Sequence, residues 1–500
     1  MTMTTTLDDG ITDVPHWLMP VGGSEIESAS SQWHDVIAPS QPGKVLARVP
    51  AGTVEDVDAA VRAARDAQRE WAAAHFTVRQ KALLAIASDI EAESERLAVL
   101  TAQDTGNAIR TQARPEVATL ISLFRYFGGV AGEFKGAVLP AGDDQLQYTR
   151  IEPLGVVGAI LPWNSPLMIA GMKIPAALAA GNGLVVKPAD EAPLTVLKLA
   201  EIARRHLPSG LLNVVTGSGR EVGQAIVDHP GIHKVSFTGS TSVGRDVAAS
   251  AGRRFAHVSL ELGGKNPNII FRSAATPARI EATVAGVLLA MRFTRQGQSC
   301  TAGSRLFVHR SVLEPVLERL VDAARQLVVG DPLDEKTDMG SIINQRQYDT
   351  IREYIEDGRQ QPGVRVMLDG LDHAVDGEPG LYQGPTVFAG VDNSWRIARE
   401  EIFGPVLVVI PFDDADEVIR MANDSHYGLA AYIWSADLDE AVSTAHRLEA
   451  GWVQVNQGGG QVVGQSYGGY KESGIGREFS IEGAIAAFSQ TKQVNIRLST

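Results

Sequence analysis

From Gly155 onward short apolar runs alternate with helical segments, and this alternation constrains the fold more than any other feature of the chain. Residues 155–162 (GVVGAILP) form an apolar run closed by Pro162, the pattern of a strand buried on both faces of a parallel sheet. Residues 172–180 have helical spacing. A strand follows at 184–187, a helix at 194–206, a strand at 212–217, a helix at 221–229 and a strand at 234–239, with 240–250 helical again. Strands separated by helices at this spacing predict βαβ units and a mainly parallel, doubly wound sheet. Such sheets bind ligands beyond the C-terminal ends of their strands, where this chain places Trp163, Asn164, Lys187 and the turn 238–244. A second series repeats the theme. Strands are expected at 269–271, 305–309, 364–368 and 406–411, and helices at 284–293, 313–327, 346–358, 415–422 and 438–447.

The flanks differ. Residues 1–15 are polar and expected to be loose, with neither the basic nor the apolar stretch of a secretory signal. A strand at 44–50 precedes a helix capped by Thr53, with Asp56 in its first turn and Val54, Val57, Val61, Ala64 and Trp71 near one face. Helices through 78–103 and 110–134 read as scaffold without chemistry. Two extended segments, 132–150 and the tail 491–498 (TKQVNIRL), each show one apolar face. A strand at a chain end must hide its edge or pair, within the subunit or between subunits.

Five hundred residues exceed a single core, and a net charge of −14 argues against nucleic acid as a partner. No apolar stretch reaches membrane-spanning length. One cysteine, Cys300, excludes an internal disulfide and fits a reducing cytoplasm. It lies in FTRQGQSCTAGSR (293–305) among small and polar neighbours. The segment reads either as a buried inert thiol or as a nucleophile the backbone leaves reachable. No His/Cys cluster has metal-ligand spacing.

Four further motifs carry paired readings. Gly239–Gly244 (GSTSVG) closes a strand and opens a helix, either a plain turn or a phosphate seat at a helix start where Ser240 adds a donor. It is neither a Walker A loop nor GxGxxG. Glu261, followed by Gly263 and Gly264, is a surface acid or a general base for the thiol. Asn164 is a turn residue or an oxyanion donor. Glu401 and Phe403 belong to a helix-to-strand connection or to a ligand site.

Together these segments resemble the aldehyde dehydrogenase superfamily. The resemblance rests on PWN (162–164), KPA (187–189), FTGSTSVG (237–244), ELGGKNP (261–267), GQSCTAGSR (297–305), EEIFGPV (400–406) and GGYKESGIGRE (468–478), in family order over roughly residues 35–498. It implies an α/β fold of two doubly wound domains and a small β oligomerisation arm. The dinucleotide-binding domain would take 1–134 and 155–262, the catalytic domain 263–482, and the arm 135–154 with 483–500. It implies NAD-dependent oxidation of an aldehyde to an acid, with NADP left open because Asp190 stands where Glu is frequent. Cys300 would be the nucleophile, Asn164 the oxyanion donor and Glu261 the base, with Lys173 also assigned to the catalytic set.

By the same resemblance, Trp163, Lys187, Asp190, Gly239, Ser240, Gly244, Leu262, Glu401 and Phe403 would hold the cofactor. Met168, Met172, Thr294, Ser299, Thr301, Gln461 and Tyr467 would line the substrate channel. No metal is implied, and the partners are a small aldehyde and further copies of the chain, as homodimer or homotetramer. The channel departs from the aromatic-rich version at Ser165, Met172, Thr294, Gly459 and Gln461, with Tyr467 in place of a frequent Phe, which suggests a roomier, more polar passage. Arg295 reads as a surface or interface residue, or as a reader of a remote substrate carboxylate. A CoA-acylating relative and a non-catalytic structural relative are the alternatives.

Overall fold

The computed structural model describes residues 14–370 and 380–498. Of the N-terminal segment expected to be loose, residues 1–13 lie outside that description. Two large sheets organise the rest. The first has six strands in the order Gly474–Ile475, His257–Glu261, Lys234–Thr238, Val156–Ile160, Gly183–Lys187, Leu212–Val214. Its last five are parallel. Gly183–Lys187 is buried at every position, because helices cover both faces and apolar side chains pack on each.

Gly474–Ile475 pairs antiparallel to His257–Glu261. The stretch expected to belong to the second domain thus returns to the first sheet before the chain ends. The second sheet runs Arg365–Leu368, Thr386–Ala389, Val406–Phe412, Arg305–His309, Pro267–Ile270, Ala430–Trp434, Trp452–Val455. Its edge strand Arg365–Leu368, expected in the parallel series, is antiparallel to its neighbour.

Several helices differ from the sequence expectation for physical reasons. The helix Val54–Ala73 is closed at its start by Asp56, whose carboxylate accepts from the Thr53 N–H at 2.9 Å and the Ser28 hydroxyl at 2.8 Å. Val54 points outward, half exposed, so the buried face starts at Val57. The single helix expected over 78–103 is two, Phe76–Ala92 and Ser94–Thr105. Glu93 leaves helical geometry between them and pairs with Lys198 and Arg205, each at 3.0 Å, a tertiary contact no local propensity reveals. The helix expected from 172 starts at Pro166. Proline suits a first helical position, and Glu116 accepts from the next two N–H groups, Leu167 at 2.8 Å and Met168 at 3.2 Å.

The arm is a three-stranded antiparallel sheet. Ser489–Arg497 pairs along its length with Gln145–Pro153, which also pairs with Val138–Leu139. The other edge of Ser489–Arg497 has no partner within the described chain.

Candidate active site

Three strands of the first sheet end at one place. Val156–Ile160 delivers Trp163 and Asn164, Lys234–Thr238 delivers Gly239 and Ser240, and His257–Glu261 ends on Glu261 itself. Facing them is the loop before Arg305–His309, which carries Cys300. Between them lies a cavity of about 720 Å³.

Most of the expected site residues line this one space: Cys300, Glu261 and Asn164; Trp163, Gly239, Ser240, Leu262, Glu401 and Phe403; Met168, Thr294, Ser299, Thr301, Gln461 and Tyr467. Five lie off its wall. Met172 sits in the core one helical turn beyond Met168. Lys187 donates to Asp190 at 2.7 Å and to the Pro188 carbonyl at 2.9 Å, which engages both residues with each other. Gly244 is needed for packing, since a Cβ there would fall 2.4 Å from Leu262 Cδ2. Lys173 is buried beneath the cavity, donating to Glu478 and Ser236.

Cys300 is half-buried, and its Sγ lies 3.7 Å from the Tyr467 hydroxyl. Burial pushes the thiol up to about 11; the Tyr467 bond opposes this, while the Glu401 and Glu261 charges add to it. The resting sulfur is therefore protonated at neutral pH and needs a base. Glu261 supplies one. It is buried, both carboxylate oxygens lack any hydrogen-bond partner among the described residues, and burial, followed by the Glu478 charge, holds it well above the usual carboxylate range. A carboxylate so raised takes and returns protons readily. Asn164 uses one amide hydrogen on the Gln298 carbonyl at 2.9 Å, which ties it to the cysteine loop and leaves its second hydrogen for a ligand.

At the other end of the cavity, Ser240 caps the helix Thr241–Arg253 by accepting from the Val243 N–H, and the positive end of that helix favours an anion. Glu401 accepts from the Gly264 N–H at 2.9 Å, and burial lifts its carboxyl to about 7. A Cβ on Gly263 would fall 2.2 Å from Glu401 Oε2, so only glycine lets that carboxylate sit there. The Trp163 and Phe403 rings meet edge to face at 5.3 Å. An anion seat, a carboxylate able to accept from a ribose hydroxyl, and aromatic faces beside the thiol form a cradle that fits a dinucleotide.

The segment 110–119, read as scaffold, contributes to the cavity wall. Gln112, Glu116 and Thr119 line it, and their spacing of four and three residues is the one sequence signal that could have found them. Gln112 accepts from Arg295 Nε and donates to Thr294, both at 2.8 Å. One oxygen of the buried Glu116 has no hydrogen-bond partner among the described residues. Arg295 is thus a cavity residue, not a surface one, and its outer nitrogens have no acceptor among the described residues. Arg292 instead ties down the Gly458 and Gly459 carbonyls at 3.0 and 2.7 Å.

Comparison with known proteins agrees with this geometry. Residues 26–494 match the model of the aldehyde dehydrogenase family. The chain is 39% identical over 500 residues, covering 100% of it and 97% of the relative, to a hydroxyisobutyraldehyde dehydrogenase of Mycolicibacterium austroafricanum. Among solved structures it is similar to the NAD+ complex of an aldehyde dehydrogenase from Bacillus cereus, with TM-score 0.92, 37% identity and 97% of each chain covered. It is also similar to an NAD-dependent aldehyde dehydrogenase from Sinorhizobium meliloti, with TM-score 0.93, 36% identity, 97% of this chain and 95% of that one.

Proposed function

The chain belongs to the aldehyde dehydrogenase family, and from that footing we propose that it oxidises an aldehyde to its acid through a covalent intermediate on Cys300. It is an NAD-dependent oxidoreductase acting on the aldehyde group. The observation that carries the covalent route is one cavity wall holding Cys300, Asn164 and a Glu261 carboxylate with no hydrogen-bond partner among the described residues.

Glu261 takes the thiol proton as Cys300 attacks the carbonyl carbon. The free amide hydrogen of Asn164 and the Cys300 N–H hold the oxygen that becomes negative. What NAD supplies when bound is an acceptor for the hydride leaving that carbon. The acyl group then remains on Cys300 as a thioester. Glu261 passes the thiol proton on to solvent, then draws a proton from water as it attacks the acyl carbon, and returns that proton to sulfur as the acid departs. Trp163, Gly239, Ser240, Leu262, Glu401 and Phe403 hold the dinucleotide, and Lys187 with Asp190 extends the site toward its adenosine ribose.

Cys300→Ser should abolish NADH formation while leaving NAD binding intact; retained turnover would remove Cys300 from this role. Adding CoA should not accelerate NADH formation, since Glu261 serves water; an absolute need for CoA would favour the acylating alternative.

The substrate is a short hydroxylated aldehyde. The relative's name points there, and so does a channel whose wall carries Ser165, Thr294, Gln461 and Gln112 where a greasy substrate would want apolar side chains. Comparing kcat/KM over aliphatic, aromatic, amino, carboxylated and hydroxylated aldehydes tests it, and an aromatic optimum would reject it. The subunits assemble as a homodimer or homotetramer through the free edge of Ser489–Arg497, which sedimentation would reveal. The single cysteine suits a cytoplasmic enzyme. Among the described residues no helix is long and apolar enough to cross a membrane.

A further inference from the structure

Cys300 faces a difficulty that the groups so far described do not resolve. Burial disfavours the thiolate, and both nearby carboxylates, Glu401 and Glu261, repel it. Thiolates are usually stabilised by a histidine, a cation or a helix N-terminus. Among the described residues no histidine lines the cavity, and Arg295, which opposes the repulsion, does so by charge at a distance and is tied to Gln112. Among the described residues one side chain is within hydrogen-bond distance of the sulfur itself.

We propose that Tyr467 is a catalytic residue: its phenolic O–H donates a hydrogen bond to the Cys300 sulfur, stabilising the thiolate and aiming it at the carbonyl. The hydroxyl lies 3.7 Å from Sγ, and the sulfur is its one hydrogen-bond partner among the described residues. The ring is 3% exposed and packs against Trp452 and Phe479, with centroids 6.1 and 6.5 Å away. Its backbone is fixed on both sides, the Tyr467 N–H donating to the Glu478 carbonyl at 3.1 Å and the Glu478 N–H to the Tyr467 carbonyl at 2.8 Å. A donor held this rigidly pays little entropy when the charge appears. Phenylalanine in its place would keep the packing and lose the bond.

The phenol donates a hydrogen bond without giving up its proton. Burial and the Cys300 and Glu261 charges hold its ionisation well above the usual phenol range. The thiol proton therefore goes to Glu261, and Tyr467 stays neutral through the cycle. Once the C–S bond forms, the sulfur has lost its charge and the phenol's bond to it weakens. The stabilisation belongs to the thiolate before attack. Nucleophilicity falls as thiol pKa falls, so removing the donor should cost less in attack than in thiolate fraction.

The inference rests on Cys300 being the nucleophile. Because Cys300 is the only cysteine, alkylation by iodoacetamide reports on this sulfur alone and needs neither NAD nor aldehyde. Tyr467→Phe should move the midpoint of the alkylation pH profile upward by about one unit and slow alkylation at pH 8 by about threefold, the tenfold loss of thiolate being partly offset by a more nucleophilic sulfur. Its melting temperature should stay near that of the parent, and its kcat/KM should show the same upward shift in pH dependence. A Phe variant whose alkylation profile superimposes on the parent's overturns the role of Tyr467. If complete alkylation of the parent leaves dehydrogenase activity intact, the nucleophile assignment fails instead, so the two failures are distinguishable.

Discussion

Lys173 and Glu478 form a closed ion pair under the cavity floor, the ammonium 2.9 and 3.0 Å from the two carboxylate oxygens and both side chains fully buried. Ser236 and Ser259 complete the cluster, each donating to Glu478. Lys173 is thus occupied, and its charge pulls against the upward push on Glu261.

Removing one partner of a buried pair strands the other charge, which costs about 3–5 kcal/mol. Lys173→Met should therefore lower the urea midpoint substantially at neutral pH. Burial pushes Glu478 up, but the Lys173 charge and bonds from Lys173 and Ser236 outweigh it and leave the carboxyl below its usual 4.5. A depressed carboxylate contributes stability above its unfolded value and loses it on acidification. The gap between parent and variant should be full above about pH 4.5 and shrink below it; a constant gap across that range would contradict the assignment.

Glu261 works in the opposite sense. Its folded-state value lies well above the ordinary 4.5, so the folded protein holds a proton that the unfolded chain releases. Stability is lost as pH rises from about 4.5 through that raised value. Glu261→Gln removes this cost. The variant should be more stable than the parent at pH 8 and equal to it near pH 4, while thioester hydrolysis falls by about 10²–10⁴. Denaturation curves at the two pH values, with burst and steady-state rates, check both halves.

Gly263 bears on the cofactor. Because a Cβ there would sit 2.2 Å from Glu401 Oε2, Gly263→Ala must displace that carboxylate from the cavity wall. NAD affinity, measured by calorimetry, should fall about tenfold or more, on the order of one lost charge-assisted hydrogen bond. Unaltered NAD binding would remove Glu401 from the cofactor site.

What the sequence disclosed follows the range of the forces involved. The parallel strands around Val156–Ile160 and Gly183–Lys187 were legible because burial on both faces leaves an unbroken apolar run. Cys300, Glu261 and Asn164 were legible as motifs. The break at Glu93 was not, since Lys198 and Arg205, more than a hundred residues on, create it. Nor was the edge strand Gly474–Ile475, where two residues carry no periodicity. Met172 was misplaced because residues four apart share a helix face but lie one turn apart along its axis, and the cavity wall reaches Met168 but not Met172. Gln112 and Glu116 were missed because their role exists only once Arg295 is brought beside them.

That polar corner yields the last prediction. Gln112 holds Arg295 by its Nε, which leaves the outer guanidinium nitrogens facing the cavity as donors. Glu116 leaves one buried oxygen without a partner; burial raises its carboxyl, with the Arg295 charge opposing. A substrate hydroxyl can accept from the first and donate to the second. A carboxylate satisfies only the guanidinium and crowds the acid. Sites built to bond a hydroxyl reject the analogue lacking it, because the buried polar groups are left unpaired. The parent should therefore favour a hydroxyaldehyde over both its deoxy analogue and a semialdehyde of like length. Arg295→Met should reduce the hydroxyl preference in kcat/KM by about tenfold or more, a loss on the scale of one buried hydrogen bond, chiefly through KM. If the variant keeps that preference, Arg295 serves only to brace Gln112; if the parent prefers the semialdehyde and loses that preference with Arg295, the residue reads a carboxylate instead.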